Sequence, residues 1–141
     1  VKWFVVHHTG QGPYRPTVYD TQAYQCGSTA LWPFPGIAYS MYVEADGILS
    51  LCHDLEEETW ANGVGSPSTD ANGEGIFNEY TISCCFSGQD PTDAQWVAVQ
   101  NAYQAACAVT GRALTLTGHR LVAPGTTECP GDVAASRLKS P

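Results

Sequence analysis

The segment PTDAQWVAVQNAYQAACAVTG, residues 91–111, narrows the fold more than any other. Thr92 and Gln95 have the spacing of a capping box, Trp96, Val99, Tyr103, Ala106 and Cys107 form one helical stripe, and Gly111 supplies the stop. Two strand-like runs bracket this helix, EYTISCCFSG before it and ALTLTGH after it. Strands alternating with helices predict an α/β fold, a single domain with a mixed, partly parallel central sheet flanked by helices.

The remaining elements fit that architecture. KWFVVHH reads as a buried opening strand, with Trp3, Val5 and His7 on one face and Phe4, Val6 and His8 on the other. TGQGPYRP breaks it, residues 18–30 form a short helix, and LWPFPG is a loop. IAYSMYVEADGILSLCHD holds two strands around Asp46-Gly47, a dipeptide that supplies positive φ for a tight hairpin. Residues 56–78, rich in Gly, Ser, Asn and acidic side chains, read as a long surface loop around Trp60. DVAASRLKS closes the chain as a helix.

At 141 residues the chain buries a real core as one domain, and 43% hydrophobic against 14% charged residues is a globular balance. Six Lys and Arg against fourteen Asp and Glu give a net charge of -8, which repels phosphate backbones and anionic lipid surfaces, so neither nucleic acid nor membrane is an expected partner. No apolar run approaches the ~20 residues of a membrane helix. VKWFVV is too short and strand-like for a signal peptide, and a chain without an initiator Met is expected to be a processed or excised domain whose targeting segment is out of view.

Six cysteines, at 26, 52, 84, 85, 107 and 129, are many for a reducing compartment and few for a disulfide scaffold. Cys84, Cys85 and Cys107 read as buried, inert thiols, whereas Cys26 and Cys52 are candidates for a pair. Cys129 lies in GHRLVAPGTTECPG, ten positions after His119, and its type alone leaves three roles open: disulfide half, small hydrophobe or metal ligand. A catalytic zinc takes three protein ligands and keeps a fourth position for water. His7 or His8, His119 and Cys129 all fall at strand ends or loops, where sites on open α/β sheets collect. A lone histidine at such a place is more often a satisfied core or surface residue.

Taken in order, FVVHHTG, IAYSMYVEADG, TWANG, NEYTISCCFSG and GHRLVAPGTTECPG resemble the type 2 N-acetylmuramoyl-L-alanine amidases, the family of phage endolysins and peptidoglycan recognition proteins. The resemblance runs from Val5 to Gly131 and implies that residues 1–141 are a zinc amidase catalytic domain. It implies a Zn2+ site of His7, His119 and Cys129, a catalytic Tyr39 eight residues before Gly47, and Thr127 beside the oxyanion where other relatives carry Lys. Trp60 and Asn62 of TWANG are then candidates to line the substrate groove. Several bacterial relatives hold a Glu where this chain has Cys85, which leaves the general base unassigned. Arg120 pairs with a stem-peptide carboxylate or, the preferred reading, with one of the chain's own acidic residues.

The implied reaction is hydrolysis of the bond between N-acetylmuramic acid and L-alanine in peptidoglycan, by a monomer acting on the bacterial cell wall, phage-encoded or secreted. Two alternatives belong to other classes. One is a peptidoglycan-binding recognition module without catalysis. The other is a structural zinc domain, which needs a fourth protein ligand, with His53 or Cys52 as candidates.

Overall fold

A computed structural model describes residues 1–10, 12–28, 30, 34–62, 78, 80–123, 125 and 127–139. The elements run β1 (Trp3–His8), α1 (Val18–Cys26), β2 (Met41–Val43), β3 (Leu49–Leu51), β4 (Thr81–Phe86), α2 (Asp93–Thr110), β5 (Thr115–Gly118), α3 (His119–Val122) and α4 (Asp132–Leu138). Five strands make one sheet in the order β3-β2-β4-β1-β5. Only the β2-β3 hairpin is antiparallel; β2-β4, β4-β1 and β1-β5 are parallel, the mixed sheet that strand and helix alternation predicts.

β4 is the middle strand and is buried along its whole length. Its alternation divides the protein into two faces. Cys84 and Phe86 join Phe4, Val6, Met41 and Val43 under α2, where Trp96, Val99, Ala102 and Ala106 complete the main core with Ala134 of α4. Cys85 and Tyr42 point the other way, toward α1, in a smaller cluster with Ile37. The main core therefore sits on one side of the sheet and supports it, which leaves the opposite side for His7.

The two longer helices start where side chains satisfy free amides of the first turn. The Thr92 and Gln95 capping box opens α2, and Gly111 ends it. Thr17 and Asp20 form an equivalent box on α1, which stops at Cys26 and not at residue 30. The hairpin turns at Gly47, whose φ of 89° carries a side chain only with strain and whose missing Cβ would lie 2.9 Å from the Ala94 carbonyl oxygen.

Two expectations change on contact with the structure. β5 ends at Gly118, so His119 is the first residue of a one-turn helix rather than the last of a strand. Cys26 and Cys52 do not pair; all six cysteines are free. Cys84 and Cys85 are buried as expected, and Cys107 is partly buried against the main core. Most of the loop read between residues 56 and 78 lies outside the described residues, as do residues 31–33 of LWPFPG and Ser140 of the closing run.

Candidate metal centre and active site

Period-two alternation puts His7 on the open face of β1, in register with Cys85 on β4. Its imidazole is 1% exposed, and His119 reaches it from the next strand's end, with ring centroids 4.6 Å apart. Cys129 arrives on the following loop, its Sγ 3.7 Å from His7 Nδ1. Ligand atoms of His7, His119 and Cys129 all lie within 4.8 Å of one another, and no other group of three or more such side chains occurs among the described residues.

The loop is fastened on both sides. The amide of Arg120 donates to the Cys129 carbonyl at 2.8 Å, and the amide of Cys129 donates to Thr127 Oγ1 at 3.1 Å. A Cβ on Gly118 would stand 2.8 Å from Pro130 Cδ, so the absence of a side chain there lets the cysteine loop lie close to β5. Arg120 pairs with Asp132 at 2.9 Å, which places it with the chain's own acid, as the sequence reading preferred.

His8 turns away from the cluster. Its ring faces Phe86 and its Nδ1 lies 3.0 Å from the Gln89 carbonyl. Its main chain nevertheless serves the site, because the His8 amide donates to Cys129 Sγ at 3.3 Å.

The donor chemistry suits a zinc ion. Tetrahedral zinc with N and S ligands at 2.0–2.3 Å needs donors about 3.3–3.8 Å apart, close to the observed sulfur to nitrogen separation. Burial, with the neighbouring His119 and His8, holds His7 well below the usual histidine range, so its ring is neutral and keeps a lone pair. Burial also lowers His119. It pushes the Cys129 thiol up to about 12, against the pull of the His8 amide and the Arg120 charge. His119 is only half-buried, so the cluster has an open side. His53 takes no part: its Nε2 lies 2.6 Å from the Ile37 carbonyl and its Nδ1 3.4 Å from Glu57. Neither it nor Cys52 joins the triad, and three ligands with an open side is the pattern of a reactive site rather than a closed structural one.

Tyr39 lies just ahead of β2, its ring centroid 5.4 Å from that of His7. Burial, then Cys85 and Cys129, hold its hydroxyl well above the usual tyrosine range, so it is a neutral donor at physiological pH. That hydroxyl interacts with the Cys85 thiol and the Gln25 side chain. Beside Tyr39 opens a cavity of about 310 Å3 walled by Tyr14, Tyr24, Thr21 and Asp20. Neither Tyr14 nor Tyr24 stood out in the sequence, since an exposed aromatic in a loop or on a short helix has no periodic signal.

Trp60 is half-buried and stacks on Phe34, with centroids 6.0 Å apart and planes 17° apart. Asn62 is 3% exposed; its main-chain amide donates to Asn78 Oδ1 at 3.2 Å and its Nδ2 to Thr81 Oγ1 at 3.0 Å.

Fold and donor cluster together define an α/β protein with a candidate metal centre on the open face of its sheet. The family profile described as N-acetylmuramoyl-L-alanine amidase (Amidase_2) matches residues 1–132, and the chain belongs to this family. Similar solved structures include Drosophila peptidoglycan recognition protein SD, at TM-score 0.76 and 16% identity, covering 99% of this chain and 80% of that one. N-acetylmuramoyl-L-alanine amidase LysC from Clostridium intestinale aligns at TM-score 0.69 and 18% identity, covering 99% and 83%. A Tyr-to-Phe variant of Drosophila PGRP-LB, in complex with tracheal cytotoxin, aligns at TM-score 0.70 and 18% identity, covering 98% and 79%. No curated protein matches the sequence significantly.

Proposed function

We propose that residues 1–141 are a zinc-dependent amidase domain that hydrolyses the amide between the lactyl carboxyl of N-acetylmuramic acid and L-alanine in peptidoglycan. The observation that carries this reading is the convergence of His7, His119 and Cys129 with an open side, beside the hydroxyl of Tyr39. Family membership supports an amidase chemistry and a peptidoglycan substrate.

His7, His119 and Cys129 would hold the zinc, which when bound polarises a carbonyl and lowers the pKa of water to about 7. Tyr39 supplies a neutral O–H to the oxygen on which charge develops when the amide carbonyl is attacked. Thr127, whose Oγ1 already accepts from the Cys129 amide, keeps its own proton for the same oxygen. Neither group carries a formal charge, so the metal bears most of the electrostatic load. The cavity beside Tyr39, with Tyr14 and Tyr24 on its walls, offers aromatic surface to a sugar ring or a stem peptide. Trp60, two residues from Asn62, is assigned to the groove wall with Phe34 behind it.

A second reading, recognition without cleavage, draws on the likeness to recognition proteins such as PGRP-SD. The complete triad and Tyr39 favour cleavage. Purified peptidoglycan incubated with the zinc-loaded protein is expected to release new L-alanine amino termini. Retention on the same wall material with no new termini would establish the recognition reading instead. The setting we propose is the bacterial cell wall, with a monomer acting on it.

A further inference from the structure

Tyr39 lies outside the hydrogen-bond ladder of the sheet. β2 begins only at Met41, so strand pairing does not hold the backbone that carries the tyrosine. Other bonds hold it. The amides of Cys52 and His53 donate to the Ser40 carbonyl at 2.8 and 3.3 Å, and the amide of Ser83 on β4 donates to Ser40 Oγ at 3.2 Å. From the side of α1, Gln25 Oε1 accepts the Ala38 amide at 2.8 Å.

The shortest of these clips comes from the His53 ring. Its Nε2 lies 2.6 Å from the Ile37 carbonyl, and a carbonyl only accepts, so Nε2 carries a hydrogen and donates it. Glu57 Oε2 stands 3.4 Å from Nδ1 at the other edge of the ring, and the side chain is only 14% exposed. Gly36 makes room for the ring, since a Cβ there would lie 3.2 Å from His53 Cε1. His53 therefore grips the segment 37–40 at both ends, Ile37 through its ring and Ser40 through its amide, with Tyr39 between the two bonds.

Resting on the role proposed above for Tyr39, we infer that His53 is a positioning residue for that tyrosine. His53 belongs neither to the donor triad nor to the walls of the cavity beside Tyr39, so its ring reaches the reaction only through the Ile37 carbonyl and the backbone that aims the hydroxyl. The Tyr39 ring stands beside His7 and packs on the cluster of Ile37, Tyr42 and Cys85, so a slip of this segment moves the hydroxyl relative to the metal ligands. Misplacing a reacting group by about 1 Å costs on the order of a hundredfold in rate.

The test reads Tyr39 directly and through turnover, in the zinc-loaded protein. His53→Leu removes the donor; it should displace the Tyr39 ring NMR signals and lower kcat about ten- to a hundredfold at nearly constant KM. His53→Gln, whose side-chain N–H can reach the same carbonyl, should restore the signals and most of kcat. In a Tyr39→Phe background His53→Leu should cost kcat nothing further, because the two residues act as one unit. His53→Asn, polar but too short to reach Ile37, takes the place of the leucine variant if that one does not fold. Unmoved Tyr39 signals in the folded variant overturn the inference. So does an equal loss of kcat with and without the Tyr39 hydroxyl, or an unchanged kcat in His53→Leu where Tyr39→Phe is impaired. If the Tyr39 signals move but Tyr39→Phe turns over at the wild-type rate, the catalytic reading of Tyr39 fails while His53 stands as the residue that aims it.

Discussion

The main-chain amide of His8 donates to Sγ of Cys129 at 3.3 Å, across 121 positions of sequence. Neighbouring histidines thus serve one site by different means, His7 through its ring and His8 through its backbone. A backbone donor survives side-chain substitution. His8→Ala should retain about one zinc per chain and lose only the ring contacts with Phe86 and Gln89, whereas His7→Ala should empty the site. Metal content by mass spectrometry decides this, and equal zinc loss in both variants contradicts the assignment of faces.

The second expectation concerns protons. The Cys129 thiol is raised to about 12 by burial, so it is protonated at neutral pH in the metal-free protein, while His7 is already neutral. Zinc uptake should therefore release about one proton, and apparent affinity should rise with pH, by roughly tenfold per unit near pH 7. Calorimetry in buffers of different ionisation enthalpy measures that proton. Cys129→Ser should bind zinc far more weakly, since an alcohol does not ionise as a thiol does; Cys107→Ala, remote on α2, should leave zinc content unchanged. A chelator should abolish hydrolysis until zinc returns, and full activity after verified metal removal would sink the zinc reading.

Gly118 links fold stability to the site. A methyl group there meets Pro130 Cδ at 2.8 Å and Leu138 Cδ1 at 3.2 Å, so the cysteine loop or α4 must shift. Gly118→Ala is expected to destabilise the protein by about 1–3 kcal/mol, the usual cost of overpacking, and to weaken zinc binding as Cys129 moves. Denaturant melts of the metal-free protein measure the first effect and zinc titration the second. An unchanged midpoint would show that the loop yields freely.

Local chemistry explains what was legible in the sequence. The capping box at Thr92 and Gln95, the hairpin at Gly47 and the period-two face of His7 depend on neighbours within a few residues, and all three stand in the structure. His119 was placed at a strand end because TLTG continues smoothly into it; the turn that makes it a helix start is set by Cys129, whose carbonyl takes the Arg120 amide. The His8 amide carries no sequence signal, since every residue but proline has one. Asn62 was legible as a residue near the site but not as a buried one, because its burial depends on Thr81 and Asn78 across the loop. The three donors were legible through resemblance rather than spacing, for the nine residues between His119 and Cys129 admit many geometries.

Tyr39 and Thr127 carry the sharpest kinetic expectation. The Tyr39 hydroxyl is held as a neutral donor by burial and by Cys85 and Cys129, beside the His7 ring. If it stabilises charge that develops only in the transition state, Tyr39→Phe should keep zinc content and ligand binding nearly intact while kcat falls on the order of a hundredfold to a thousandfold. Thr127→Val removes one neutral donor beside a dominant metal charge and also deprives the Cys129 amide of its acceptor, so a smaller fall in kcat should accompany a modest loss of zinc affinity. Thr127→Lys separates these two roles. The lysine gives up the acceptor for Cys129 but brings a full positive charge to the oxyanion, so kcat of the zinc-saturated variant should equal or exceed that of Thr127→Val. Steady-state kinetics at saturating zinc measure all three, and an unchanged kcat in Tyr39→Phe removes the tyrosine from the reaction.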